Sequence, residues 1–418
     1  MPTERPEIRA DDDWDPRASD VLDDQVAAYD ALRERCPVAH SEFLGWSVLR
    51  HADVLAVLDD HATFSNRVSA RASSRAAGVN AMDPPDHAAH RAVVDRYFTA
   101  ELVAAFEGPL RAITREVLGQ ATSGRDRTEV MSEIAEPLAA RAQCAYLGWP
   151  DDTATALRAW ADDSASATLA RDRAELDRVA ARFDRIIGDV LAHARSAGPD
   201  APATLTMRLL GERVDGVALS DAQLVAMLRN WTAGEVGTIA AAIGIVIEGV
   251  ARRPDVQSSL RARPDRRQDA MDELLRLQAP LIANRRRTTR PVELGGRLIP
   301  ADAPVTILWP AAQRDPDAFP DATGFDPERD RGADLLYGRG IHACPGEGLA
   351  RLELEVMLDE LFRHLPAFRL ASSGATSRAG YPAGGFTAVH IEWATPGVGY
   401  GLLGQAISPE HSGHSSAR

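Results

Sequence analysis

The residue pattern points to a mainly α fold with a small β region, built as one large domain. Apolar residues recur at helical spacing almost without a break from about 86 to 277. They fall in segments at 100–121, 128–148, 152–168, 171–196, 203–211 and 220–252, each bounded by Gly, Pro or Asp. Composition changes after Pro280, where 292–296 and 303–308 read as strands joined by turns. No internal repeat and no convincing linker divides the 418 residues, so a single domain over 21–396 is expected. The polar segment 1–20 is expected to be flexible and the Gly/Ser-rich tail 397–418 disordered.

Taken in order, 21–35 is helical and ends at Cys36-Pro37, 45–49 reads as a strand, and 52–58 as a helix. Residues 64–82 are small and polar without a period, which predicts a mobile loop. Asp83-Pro84-Pro85-Asp86 reads as a helix start, with proline before the first turn and an acid near its positive end. The segment 220–252 is the most apolar helix and is long enough to cross a whole domain. After it come an irregular Pro- and Asp-rich stretch at 313–336 and one more long helix at about 346–364.

Composition narrows the function classes. With 45% hydrophobic and 26% charged residues the chain is neither disordered nor fibrous. The 47 basic residues, all arginine, against 61 acidic ones leave a net charge of −14, which argues against nucleic acid as the main partner. The apolar run 239–247 is too short to span a membrane and ends at Glu248. Asp11, Asp12 and Asp13 stand where a signal peptide would need a basic and then an apolar region, so a cytoplasmic protein is expected. Three cysteines, Cys36, Cys144 and Cys344, lie too far apart for a disulfide framework or a CxxC zinc site.

One cysteine stands apart. The segment Tyr337-Gly338-Arg339-Gly340-Ile341-His342-Ala343-Cys344-Pro345-Gly346 directly precedes the last long helix. Its three glycines and proline describe a backbone with unusual dihedrals and close approach to something flat or bulky. A thiolate here would be eased by backbone N–H groups and by the helix N-terminus that follows. The plainer reading is a buried thiol in a turn.

This segment resembles the heme-binding loop of the cytochrome P-450 superfamily, F-G-x-G-x-H/R-x-C-x-G, at every position but the first, where Tyr337 replaces Phe. Glu273-Leu274-Leu275-Arg276 is similar to the family's E-x-x-R helix, and 325–329 (FDPER) to its meander. Ala312-Gln313-Arg314-Asp315-Pro316 and Asp83-Pro84-Pro85-Asp86-His87 also match family segments, in the right order along the chain. The resemblance implies one P-450-type domain, with heme b between a long distal helix and the proximal cysteine loop and helix. It implies Cys344 as the axial thiolate, a structural triad of Glu273, Arg276 and Arg329, and propionate contacts from His87, Arg91, Arg286 and His342. Ala233, Gly234, Gly237, Tyr337, Gly338 and Gly346 would border the cofactor.

The distal helix departs from the pattern. The family carries [A/G]-G-x-[D/E]-T-[T/S], an acid–alcohol pair that serves proton delivery; here Ala233-Gly234-Glu235-Val236-Gly237-Thr238 puts valine and glycine at those two positions. Glu235 and Thr238 are three apart and could form a displaced relay, although helical geometry turns Glu235 away from the direction of Gly237. A substrate group or ordered water could serve instead, or a chemistry that needs no relay. Arg229, Ala233 and Gly237 form an i, i+4, i+8 stripe, so Arg229 is expected on the heme-facing side. It would anchor an anionic or polar substrate group, unless it reaches solvent or pairs with a protein carboxylate. Thr232, Ile282, Asn284 and Phe386 complete the expected substrate pocket, with Leu281, Ala283 and the loop at 67–82.

No Gly-rich dinucleotide loop, flavin site or iron–sulfur cysteine set is present, so electrons would come from a separate ferredoxin and its reductase. Arg96, Arg339 and Arg351 are candidates for a positive patch facing such a partner. The expected function is a monooxygenase that oxidises a small molecule in bacterial specialised metabolism. Val236 and Gly237 keep open oxidative coupling, desaturation or peroxide-driven oxidation; a non-catalytic heme or ligand-binding protein is the third reading.

Overall fold

The computed structural model describes residues 14–68, 76–198, 201–374 and 376–394. The expectations for 1–13, for 69–75 of the loop and for the tail from 395 lie outside these. Helices dominate, as the periodicity requires. Ala100–Thr122, Thr153–Ala170, Arg173–Ser196, Asp221–Ala251 and Glu347–His364 surround one large apolar core. Every residue from Ala240 to Ala251 is buried, which explains why this helix is apolar all round without spanning a membrane.

The β region is assembled from distant parts of the chain. A five-stranded sheet runs in the order Val38–Ser41, Gly45–Val48, Pro304–Leu308, Ala283–Thr288, Phe64–Ser65. The Gly45–Val48 and Pro304–Leu308 strands pair in parallel and the other neighbours antiparallel. Val305 lies opposite Arg286, and Ile307 opposite Asn284. A three-stranded sheet joins Phe368–Leu370, His390–Trp393 and Arg127–Glu129. The start of the expected segment 128–148 is therefore a strand. Three expectations shift in the same way: the 21–35 helix begins anew at Gln25 after a short helix Ser19–Asp23, Trp14 already packs edge-on against Tyr29 with ring centroids 5.7 Å apart, and part of 64–82 is held by Asp83.

Beneath the Cys344 loop lies a buried ion cluster. Glu273 is wholly buried, and Arg276 grips it with two hydrogen bonds of 2.7 and 2.9 Å, while Arg329 Nε adds a third at 3.1 Å. Positions i and i+3 share a helix face, and the rest of the fold turns that face inward. Arg276 also donates to the carbonyls of Gln313 and Ala322, at 2.6 and 2.8 Å. Replacing Glu273 by Gln strands two buried guanidinium groups. It is expected to cost about 3–5 kcal/mol, read as a lowered urea unfolding midpoint.

Candidate functional site

The ion cluster reaches the cysteine through a chain of hydrogen bonds. Gln313, whose carbonyl Arg276 holds, donates from Nε2 to Asp334 (2.6 Å) and accepts at Oε1 from the Leu335 N–H (2.9 Å). The Leu335 carbonyl accepts from Gly338 N–H (2.9 Å), and the Tyr337 carbonyl from Cys344 N–H (2.8 Å). Gly338 and Gly340 have φ of +70° and +73°, and a Cβ at Gly340 would lie 3.1 Å from the Leu58 carbonyl oxygen. Glycine is needed there for conformation and for space. Tyr337 lies under the Arg351 guanidinium, 5.0 Å from the ring centre, and Arg351 is tied in turn to Asp272 and Glu347.

Cys344 lies on the wall of a cavity of about 480 Å³, with its sulfur open to that space. Burial raises the thiol pKa, and the Gly346 N–H opposes this by bonding to the sulfur. A Cβ at Gly346 would stand 3.9 Å from that sulfur and 3.7 Å from Phe98. The cavity wall also carries Gly338, His342, Arg91 and Arg286.

At one edge four basic side chains converge with unspent donors. His87 lies on the helix Asp86–Asp95 and stacks edge-on against His342, ring centroids 4.4 Å apart. Neither ring nitrogen of His342 has a partner, and Nε2 of His87 has none. Burial, with the charges of its neighbours, pushes His342 down to about 3, and burial lowers His87 too, so both are neutral. Arg286 is buried and donates only to the Arg285 carbonyl (2.8 Å); burial pushes it down to about 10. Arg91 clamps the cysteine loop through the Ile341 and Ala343 carbonyls at 3.2 and 2.7 Å and pairs with Asp95. Buried donors and a guanidinium without a carboxylate call for an anion. Heme b fits: two propionates would meet this cluster while the iron meets Cys344.

The distal wall differs from the expected one. Gly234, Glu235 and Thr238 face the cavity; Ala233 and Gly237 do not line it, and Val236 is buried in the core. The segment Ala233–Ile239 is π-helical. The cavity face of the long helix runs through Asn230, Gly234 and Thr238, one position round from the stripe read from Arg229 through Gly237. Arg229 instead pairs with Asp184, its guanidinium 5.4 Å from the Phe183 ring centre. Thr232 is buried and accepts from Gln143 Nε2 (2.6 Å).

The opposite wall is formed by Leu281 and the first residues of the strand Ala283–Thr288. Leu281, Ala283 and Asn284 reach the cavity, whereas Ile282 turns into the core; Phe386 is also a core residue. The Asn284 carbonyl oxygen is occupied by Trp309 Nε1 at 2.8 Å. Of the expected partner-facing arginines, Arg96 pairs with Glu212, Arg339 with Asp59, and Arg351 with Asp272.

Two features escaped the sequence reading. Asn230 lines the cavity with its Nδ2 buried and unpartnered. Glu235 lies within hydrogen-bond reach of Glu353, on the helix Glu347–His364. Asn230 sits within the same apolar helix and carried no motif; Glu353 stands 118 positions from its partner, beyond any local period.

Comparison with known proteins agrees with this geometry. A family profile described as Cytochrome P-450 matches residues 267–373. The chain is 32% identical over 352 residues to the erythromycin C-12 hydroxylase of Saccharopolyspora erythraea, covering 81% of this chain and 87% of that one. It is 31% identical to the cyclomarin C epoxidase CymV of Salinispora arenicola, covering 79% and 86%. A solved cytochrome P-450 from Chondromyces apiculatus superposes with a TM-score of 0.81 at 28% identity, covering 91% of this chain and 98% of that one.

The unpaired cation at the cavity edge makes a distinguishing prediction. Arg286→Leu removes a desolvated charge that Asp83 only partly offsets, and the heme-free chain should keep or raise its unfolding midpoint. The loaded protein should lose heme to an excess hemin acceptor about tenfold faster or more, since a charged hydrogen bond is worth about 1.5–3 kcal/mol.

Proposed function

From the premise that this chain belongs to the cytochrome P-450 family, we propose that it oxidises a largely apolar product of bacterial specialised metabolism, holding heme b through Cys344 and drawing electrons from a separate ferredoxin. That it is a monooxygenase follows from its family and from hydroxylase and epoxidase relatives covering about four-fifths of it. The single observation that carries the assignment of Cys344 is its sulfur on the wall of a cavity whose edge presents unpaired donors for two carboxylates.

When bound, thiolate-ligated heme supplies dioxygen activation, with the thiolate favouring O–O cleavage. The chain's own residues do the rest. His87, Arg91, Arg286 and His342 would hold the propionates. Gly234 adds no side chain to the distal wall. Glu235 and Thr238 replace the missing acid–alcohol pair as the polar groups of the distal wall. The relatives are named for oxidation of erythromycin and cyclomarin C, and Leu281, Met227 and Val79 give this cavity an apolar lining suited to a largely apolar substrate. Asn230 Nδ2, desolvated and unpaired, fits a substrate carbonyl or ether oxygen. Arg229, spent on Asp184, anchors no anion. We assign the reaction to the cytoplasm, with no membrane or nucleic acid involved.

An alternative rests on Val236 and Gly237: neither reaches the cavity, which leaves peroxide-driven oxidation or coupling open to an enzyme without the usual pair. The deciding experiment is the reduced carbon monoxide spectrum, followed by turnover with a surrogate ferredoxin system against peroxide alone. The red-shifted Soret band of thiolate ligation is expected in wild type and absent in Cys344→Ala. Product with ferredoxin but not peroxide supports the first reading; the reverse supports the second. In the first case Thr238→Val should lower product formed per reductant consumed, and an unchanged ratio removes Thr238 from the proton path.

A further inference from the structure

The strand wall of the cavity carries a guanidinium with no acid to meet it. Four arginines line the cavity among the described residues. Arg91 pairs with Asp95 and Arg339 with Asp59, and Arg286 belongs to the edge cluster that suits the propionates. Arg285 forms no ion pair with any described residue, and no described carbonyl accepts from its guanidinium. Its partner across the sheet is Thr306, whose hydroxyl donates to the Leu44 carbonyl at 2.8 Å. That bond ties the strand to the turn that carries Phe43.

The surroundings of Arg285 add positive charge rather than remove it. Arg171 sits at the turn between the helices Thr153–Ala170 and Arg173–Ser196, with its guanidinium 4.2 Å from the Phe43 ring centre. It donates to the carbonyls of Glu42 and Phe43, and among the described residues it too has no carboxylate partner. Phe43 meets Tyr381 edge-on, ring centroids 5.8 Å apart. Tyr381 is fixed in turn by Gln25, whose Nε2 donates to the carbonyls of Ala379 and Ala383 at 2.6 and 2.9 Å. Burial holds Arg285 below the ordinary arginine range; the charges of Arg171 and Arg287 add to this, and the Tyr381 hydroxyl opposes it.

Arginine does not escape such a setting by losing its proton. A largely desolvated guanidinium beside other cations is an incomplete site. What completes it is negative and enters through the cavity, since no described side chain fills the role. The planar fork takes both oxygens of a carboxylate at once.

We propose that Arg285 anchors a carboxylate of the substrate, with Tyr381 as the positioning residue beside its guanidinium and Arg171 adding attraction from the turn. This rests on the monooxygenase reading above and deepens it: the substrate is an apolar body that carries a carboxylate. Val79, Met227 and Leu281 receive the body. The anionic group expected at Arg229 is received on the strand wall instead.

The test measures binding to the holoenzyme by calorimetry at about pH 8, where carboxylic acids are ionised. The probes are dodecanoate, deoxycholate and the methyl ester of each. Wild type should bind at least one acid about tenfold or more tightly than its ester, as a charged hydrogen bond would give. Arg285→Gln and Arg285→Leu should erase that preference by weakening the acid and leaving the ester. Arg285→Lys should restore part of it, as a charge without the fork. Tyr381→Phe keeps the ring, removes the hydroxyl and should weaken the acid about threefold. Equal binding of acid and ester in wild type, or binding of neither, overturns the anchor. A preference for acid that survives in Arg285→Gln overturns it as well. Faster transfer of heme to an excess hemin acceptor in Arg285→Gln, with acid binding unchanged, would put the guanidinium on a propionate and do the same. Binding needs no turnover, so an acid that binds and emerges unoxidised counts against the parent reading and not the anchor. Should Arg285→Leu not fold, the Gln and Lys variants still decide.

Discussion

The Glu273 carboxylate held between two arginines is the constraint on which the rest depends. A buried ion pair of this kind is a poor source of net stability, because desolvation offsets most of the attraction. Its value here is geometric. Arg276 has donors left over after gripping Glu273, and it spends them on the carbonyls of Gln313 and Ala322. The irregular stretch that follows cannot form a regular ladder, so these fixed points replace one. From Gln313 the constraint passes to Asp334 and Leu335, then through Gly338 to the turn that presents Cys344. A cysteine on a free loop could not stand reproducibly at one place on a cavity wall.

The cavity is built in two electrostatic zones. One edge gathers His87, His342, Arg91 and Arg286, with donors unpaired and the imidazoles held neutral by burial. Such an arrangement is costly when empty and is relieved by an anion, which ties the affinity for cofactor to strain in the chain without it. The other zone, under the distal helix, is largely apolar, with Glu235, Thr238 and Asn230 among its polar groups. Few polar groups in an apolar lining make each one decisive for orientation.

The π-helical turn at Ala233–Ile239 joins these zones. An inserted turn of this kind re-aims side chains without breaking the helix. It brings Glu235 toward the proximal helix and leaves Thr238 on the cavity, so an acid and an alcohol occupy the distal wall although the usual positions hold valine and glycine. Arg229 lies in the regular helix before this turn; expected at the reaction space, it faces the helix Arg173–Ser196, where Asp184 pairs with it.

The sequence by itself determined what is local or carried by a dense motif. The helical class followed from apolar spacing. The loop around Cys344 and the Glu273–Arg276 helix were legible as dense motifs, and His87, Arg91, Arg286 and His342 were expected only through the family resemblance those motifs carry. Tertiary structure decided which face of each element meets the cavity. Packing sends Ile282 to the core while its neighbours Leu281 and Ala283 reach the pocket. The cavity face of the long helix lies one residue round from the expected stripe, which leaves Gly237 out and puts Gly234 and Thr238 in. The pairing of Glu235 with Glu353 lies beyond local reading altogether, since two acids 118 residues apart interact only after the core has closed and removed the water between them.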